Sequence, residues 1–225
     1  LKQLQLDYLD LWLVHWPFDS AKYTPTSDHV ATWKAMQKTV RPVKGTRFIG
    51  VSNFGPQQID DIMKVDGIKP QFHEFELHPY LQQSSWVEEN FKRNITVIAY
   101  APLANTQNRA SMGVSVARDA VKPIFRTDAV TEIAKARGCT PAQVVLSWNL
   151  HRKVVVIPKA IQVIHQKENI PTLDQCKFTD EDAAKINAMK ERIRFYPMAC
   201  DYGLTEGCAE ARAHPSKPLA KMGNR

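Results

Sequence analysis

The run Leu6-Asp7-Tyr8-Leu9-Asp10-Leu11-Trp12-Leu13-Val14-His15-Trp16-Pro17 ends a hydrophobic stretch on an imidazole. In parallel β/α sheets ligands bind at the carboxyl ends of strands, and Pro17 forbids simple continuation of this one. A second apolar run, Phe48-Ile49-Gly50-Val51, stops at Ser52-Asn53, a hydroxyl beside an amide. Such a pair of adjacent side chains can donate and accept hydrogen bonds, although Ser and Asn are equally ordinary turn residues. A third stretch, His73-Glu74-Phe75-Glu76-Leu77-His78, invites a zinc reading. Its spacing is HExxxH, and on a strand His73 and His78 point to opposite faces. No metal site is expected there.

These residues need elements to position them. Short apolar runs alternate with longer amphipathic ones along the chain, the pattern of repeated β/α units. Strands are expected at 8–14, 48–52, 72–77, 95–101 and 153–157. Helices fit 28–40, 56–65, 83–93, 127–137, 140–151, 163–169 and 179–192. Thr140-Pro141 sets a capping side chain before a proline, and Thr179 precedes Asp180, Glu181 and Asp182. Gly67 and Gly138 fit left-handed C-terminal caps. The irregular segment 104–126 reads as a functional loop, and residues from 197 as a surface arm or poorly ordered tail.

The 225 residues are 44% hydrophobic and 24% charged, the balance of an ordinary globular protein. No apolar run approaches the roughly twenty residues that span a bilayer, and the first residues are not a signal peptide. A membrane partner is not expected. The formal charge of +7 favours anionic ligands such as phosphates. Basic residues are nevertheless spread along the chain without an aromatic-interleaved stripe, which argues against nucleic acid. Cys139, Cys176, Cys200 and Cys208 lack the paired spacing of a metal or redox motif. They read as reduced thiols of a cytoplasmic protein, in which the triplet Asn94-Ile95-Thr96 would carry no glycan.

Together, and in this order, LDYLDLWLVHWP and IGVSNF resemble the aldo-keto reductases, a likeness that extends over residues 1–195. The resemblance implies an α/β fold, a partial (β/α)8 TIM barrel. It would comprise the last five β/α units as an open parallel sheet with outer helices over residues 1–196, followed by an arm or tail at 197–225. The first three units would precede Leu1, and the lack of an initial Met suggests a fragment or a trimmed chain.

The same resemblance implies NADPH/NADP as cofactor and an aldehyde or ketone as small-molecule substrate. His15 would hydrogen-bond the carbonyl oxygen on which charge develops, and Trp16 would line the substrate pocket. Ser52 and Asn53 would hold the nicotinamide carboxamide. Glu74 stands where the family has glutamine, and a carboxylate there favours the positively charged oxidised ring. Tyr100 would stack on the nicotinamide, and Ala101 and Leu103 would offer backbone groups to the pyrophosphate. Lys159, in Ile157-Pro158-Lys159, would pair with the 2′-phosphate. Ala160 and His165 replace a serine and an arginine of the family, which weakens phosphate recognition. Glu168 and Asn169 match adenine contacts.

The family's general acid, a tyrosine activated by a lysine and an aspartate, would lie upstream of Leu1, and neither Tyr8 nor Tyr23 matches its motif. Hydride transfer without it leaves an unprotonated alkoxide. The sequence therefore leaves three readings open: a truncated, catalytically incomplete reductase, a non-catalytic nicotinamide-binding protein, or an unstable truncated product. A β/α-barrel enzyme of sugar phosphates fits GVSNF and IPK less well. Substrate identity and oligomeric state are not legible.

Overall fold

The computed structural model describes residues 1–17, 28–41, 43–104, 121–170 and 175–209. Most of the expected loop at 104–126 and the tail from 210 lie outside them. The apolar runs become β1 (Leu9–Val14), β2 (Thr46–Ser52), β3 (Phe72–Glu76), β4 (Thr96–Tyr100) and β5 (Val155–Val156), joined in one sheet in sequence order. The pairings β1–β2 and β2–β3 are parallel, with Leu11 opposite Phe48 and Ser52 opposite Glu74. This is the open parallel sheet of a partial β/α barrel, as expected. Consecutive right-handed crossovers make neighbours in sequence neighbours in the sheet.

The crossovers run through α1 (His29–Gln37), α2 (Pro56–Met63), α3 (Ser84–Lys92), α4 (Asp128–Arg137) and α5 (Pro141–His151). Two further helices, α6 (Val163–Asn169) and α7 (Asp180–Asn187), follow β5. Thr140 accepts from the Gln143 N–H at 3.2 Å and Gln143 Oε1 accepts from the Thr140 N–H at 3.0 Å, so α5 begins on a reciprocal cap. Thr179 and Asp182 repeat that cap on α7, with three acidic residues at the positive end of the helix. Gly138, at φ 63°, closes α4 as expected. Gly67 is also left-handed, but Lys64 caps α2, so Gly67 belongs to the turn beyond. Helix α7 stops at Asn187 rather than at 192. There Gln82 Nε2 donates to the carbonyls of Ile186 and Asn187 at 3.2 and 3.4 Å, taking up acceptors that another turn would have used.

By packing, the described residues fall into two units interleaved in sequence: those of Leu1–Phe75, Ser84–Ile98 and Met198–Leu204, and those of Glu76–Gln83, Ala99–Pro197 and Thr205–Arg225. In the first, Ile49, Val51, Phe54, Ile59 and Ile62 are buried around Trp33, whose indole N–H donates to the Ile68 carbonyl. In the second, Val144, Val145, Leu146 and Ile186 are buried with Trp148, whose indole N–H donates to Asn187 Oδ1.

Two expectations are corrected. Cys139 and Cys176 are not reduced thiols: they form a disulfide with Cα atoms 5.3 Å apart, and none of the four cysteines is free. A spacing of 37 residues gave no hint, because the turn after α4 and the chain after α6 meet only in the fold. Residues from 197 begin not as a loose arm but as a 3-10 helix, Pro197–Tyr202, with Ala199, Cys200, Leu204 and Cys208 buried. The sheet does end on apolar edge strands: Trp12 on β1 is 45% exposed and Val155 on β5 is 43% exposed. No helix among the described residues is long and apolar enough to cross a membrane.

Candidate functional site

The sequence-predicted residues fall into two groups, one in each unit. In the first, His15 follows the last residue of β1 and is exposed, while Ser52 and Asn53, at the end of β2, are buried. Asn53 has φ 60°, a left-handed conformation that Asn tolerates better than most residues. Its Nδ2 donates to the His15 carbonyl at 3.1 Å and to Ser52 Oγ at 3.0 Å. Asn53 therefore staples the ends of β1 and β2, a role the turn-residue reading did not contain. Both amide protons are used, which leaves the hydroxyl proton of Ser52 as the donor this pair can offer.

Glu74 sits in register with Ser52 across β2 and β3, and directly paired residues of parallel strands project to the same face. Its backbone carbonyl accepts from the Asn53 N–H at 2.9 Å. Its carboxyl is half-buried, and burial pushes its pKa above the ordinary carboxylate range. His73 faces the other way, against α3. Its Nδ1 lies 2.9 Å from Asn90 Oδ1, and the Trp86 ring stands edge-on at 5.8 Å. Full burial, opposed only in part by the Asn90 hydrogen bond, lowers its pKa to about 4, so the ring is neutral. The Trp16 ring lies 5.9 Å from that of His15 and 6.1 Å from that of Tyr202, in the C-terminal 3-10 helix. Nothing in the sequence singled out Tyr202, because only tertiary folding brings it to Trp16.

The second group begins at Tyr100, the last residue of β4. The chain then turns through Ala101 at φ 47° and Ala104 at φ 54°, with the Ala104 N–H donating to the Ala101 carbonyl at 2.8 Å. Two alanines in a left-handed conformation after one strand shape the backbone around Leu103 at some energetic cost. Lys159 is exposed beyond β5, and the Ala160 carbonyl accepts from Gln166 Nε2 at 3.1 Å. On α6, His165 Nδ1 and Glu168 Oε2 are 3.2 Å apart. The resemblance gave these two residues separate partners, phosphate and adenine, whereas the structure pairs them with each other. Asn169 ends the same helix. Gln143, which the sequence reading passed over as a site residue, supports α6 from α5 by donating to the Glu168 carbonyl at 3.0 Å.

Glu76 and His78 stand in the same unit. His78 Nε2 lies 2.9 Å from Glu76 Oε1, and both side chains are fully buried. His73 and His78 thus have different partners, Asn90 and Glu76.

A profile of the aldo/keto reductase family matches residues 1–191. Aldo-keto reductase family 1 member A1 of Bos taurus is 34% identical over 210 residues, which cover 87% of this chain and 62% of that protein. An uncharacterized oxidoreductase of Schizosaccharomyces pombe, C26F1.07, is 35% identical over 210 residues, with the same coverage of this chain. Among solved structures, aldose reductase from Giardia lamblia superposes with a TM-score of 0.74 at 27% identity, over 89% of this chain and 68% of that one. Aldose reductase from Schistosoma japonicum gives 0.72 at 29% identity, over 98% and 68%. A strand-ordered parallel β/α sheet carrying its polar residues at strand ends is the architecture of a β/α-barrel protein. The chain belongs to the aldo/keto reductase family, and it spans about 62% of the length of the curated relatives it matches.

Proposed function

We propose that this chain is the nicotinamide-binding part of a reductase that moves hydride between NADPH and an aldehyde or ketone. The observation that carries the reading is the register of Ser52 with Glu74, beside an Asn53 that ties the His15 end of β1 to β2. A carboxamide needs a donor for its oxygen and an acceptor for its N–H groups. The Ser52 hydroxyl and the Glu74 carboxyl offer those two, so the donor set fits the group. The cofactor, when bound, supplies the hydride. His15 would hydrogen-bond the substrate carbonyl oxygen, and Trp16 would offer an apolar wall beside it. The second unit, taken by itself, offers Lys159 as a point charge for a phosphate.

A cytoplasmic location, typical of a reduced chain, meets a counter-observation in the Cys139–Cys176 disulfide. Such bonds persist in oxidising compartments, so a cytoplasmic enzyme would carry this pair reduced.

Calorimetric titration of the chain with NADP⁺ tests the reading. Saturable binding is expected, weakened about tenfold in the Ser52→Ala, Glu74→Ala double variant, the worth of about two neutral hydrogen bonds. Binding indifferent to both substitutions would remove the carboxamide site.

A further inference from the structure

Of the helices α4 to α7, all in the second unit, α6 is the least supported. None of its seven residues is buried, and Gln162 gives its first turn no capping side chain. By contrast α4, α5 and α7 each bury three residues or more. A helix that short does not hold itself together in water, so α6 depends on what ties it to its neighbours. Those ties gather at one place. Gln143, in the first turn of α5, donates from Nε2 to the Glu168 carbonyl at 3.0 Å and to Gln175 Oε1 at 2.7 Å. Next to these in sequence, Cys139, in the turn before α5, is bonded to Cys176, the residue after Gln175. The junction of α4 with α7 has its own tie, since Arg137 donates to Asp182 Oδ2 and Thr179 Oγ1 at 2.8 and 2.9 Å. The two cysteines also differ in access: Cys176 is fully buried, whereas Cys139 is only half-buried and follows the exposed Gly138.

We propose that Cys139 and Cys176 form a redox latch on α6: joined, they hold the helix that carries His165; reduced, they release it, and phosphate binding weakens. The effect on binding rests on the phosphate reading of Lys159 and His165 and adds a means of regulation to it. The switch is thiol–disulfide exchange with a dithiol reductant. A thiolate of the reductant attacks the more accessible Cys139 sulfur, the S–S bond breaks, and Cys176 leaves as a thiolate that takes up a proton. The second thiol of the reductant then displaces Cys139. Two electrons and two protons have passed to the protein, and the reductant ends as its own disulfide. A disulfide oxidant runs the same steps in reverse. Reduction removes one tie of α6 while the Gln143 bonds remain, so the loosening is local.

Hydrogen exchange of the 225-residue chain, followed by mass spectrometry with and without dithiothreitol, tests the latch. Reduction should speed exchange in α6 about tenfold and leave α4, α5 and α7 unchanged. Cys139→Ser should exchange like the reduced chain with or without dithiothreitol, which separates this bond from Cys200 and Cys208, neither of them free. Adenosine 2′,5′-bisphosphate, a phosphate probe without a nicotinamide, should bind the oxidised chain about fivefold more tightly than the reduced one. Exchange in α6 that ignores dithiothreitol would overturn the latch. So would acceleration spread through all four helices, which would make the bond a support of the whole unit. Equal binding of the bisphosphate by the two states would overturn its regulatory role. Failure of the oxidised chain to bind the bisphosphate would overturn the phosphate reading, while the exchange pattern still decides the latch.

Discussion

Ser52 and Asn53 are 2% and 1% exposed and bonded to each other, whereas Lys159 is exposed and His165 is paired with Glu168 of its own helix. The two groups of candidate residues, a carboxamide end in the first unit and a phosphate end in the second, are thus built on different principles. At the carboxamide end the same bonds hold the strand ends together and orient the ligand groups, so these residues are fixed by folding before any ligand arrives. At the phosphate end Lys159 and Ala160 stand beyond a two-residue strand, and His165 stands on a seven-residue helix.

The largest effect expected lies behind the carboxamide end, at His73. Its folded pKa is lowered to about 4 by burial, while in the unfolded chain it titrates near its ordinary 6.5. Stability from this residue is complete above the unfolded value. It drains away as pH falls through that value toward the folded one, because the unfolded state takes up a proton that the folded state refuses. Roughly 3 kcal/mol should be lost across that window. Urea midpoints at pH 7 and pH 4 should show a steep fall in the parent chain and a shallower one in His73→Gln. Parallel falls would mean that the ring is open to water.

Next in size, Asn53→Ala removes two hydrogen bonds and leaves alanine at φ 60°, a loss of about 2 kcal/mol. Lys159→Ala should stay within about 0.5 kcal/mol, as surface substitutions do. Equal urea midpoints for these two variants would erase the contrast between the ends. At the phosphate end, His165→Arg should tighten NADP⁺ binding about fivefold at pH 8 and leave NAD⁺ unchanged, since only the guanidinium offers a charged fork there. A gain shared by both dinucleotides would take residue 165 away from the phosphate.

The smallest effect concerns Glu74. Burial raises its folded pKa, so its ionisation opposes folding: the fold is favoured while the group is protonated, and the advantage is lost as pH rises through the folded value. Glu74→Gln should therefore stabilise the chain at pH 7 by less than about 1 kcal/mol, since the group is only half-buried, and the gap should close in acid. Thermal melts at pH 7 and pH 4 would record it, and a stability gap that ignores pH would assign the effect to shape rather than charge.

Strand ends and caps were legible because their causes are local. His15, Ser52 and Tyr100 sit where apolar runs stop, and Thr140 with Gln143 or Thr179 with Asp182 cap the helices that follow them. Long-range partners were not. Gln82 ends a helix 104 residues away, and Glu76 receives Phe195 from 119 residues away. Neither carries a periodic signal, and a glutamate on an apolar strand does not reveal which backbone will fill its lone pairs. Tyr202 escaped for the same reason, in a stretch from 197 whose prolines and scattered charges suggested a surface arm or tail. Asn53 was found for its side-chain chemistry, but its use as a staple depended on the neighbouring strand.

The Cys139–Cys176 bond encloses Lys159, Ala160, His165, Glu168 and Asn169, every residue proposed for the adenosine end, within one covalent ring. A protease that cut the chain once inside that ring would leave its two pieces attached. The nicked molecule would keep its full mass on a denaturing gel without reductant and split into two bands with it.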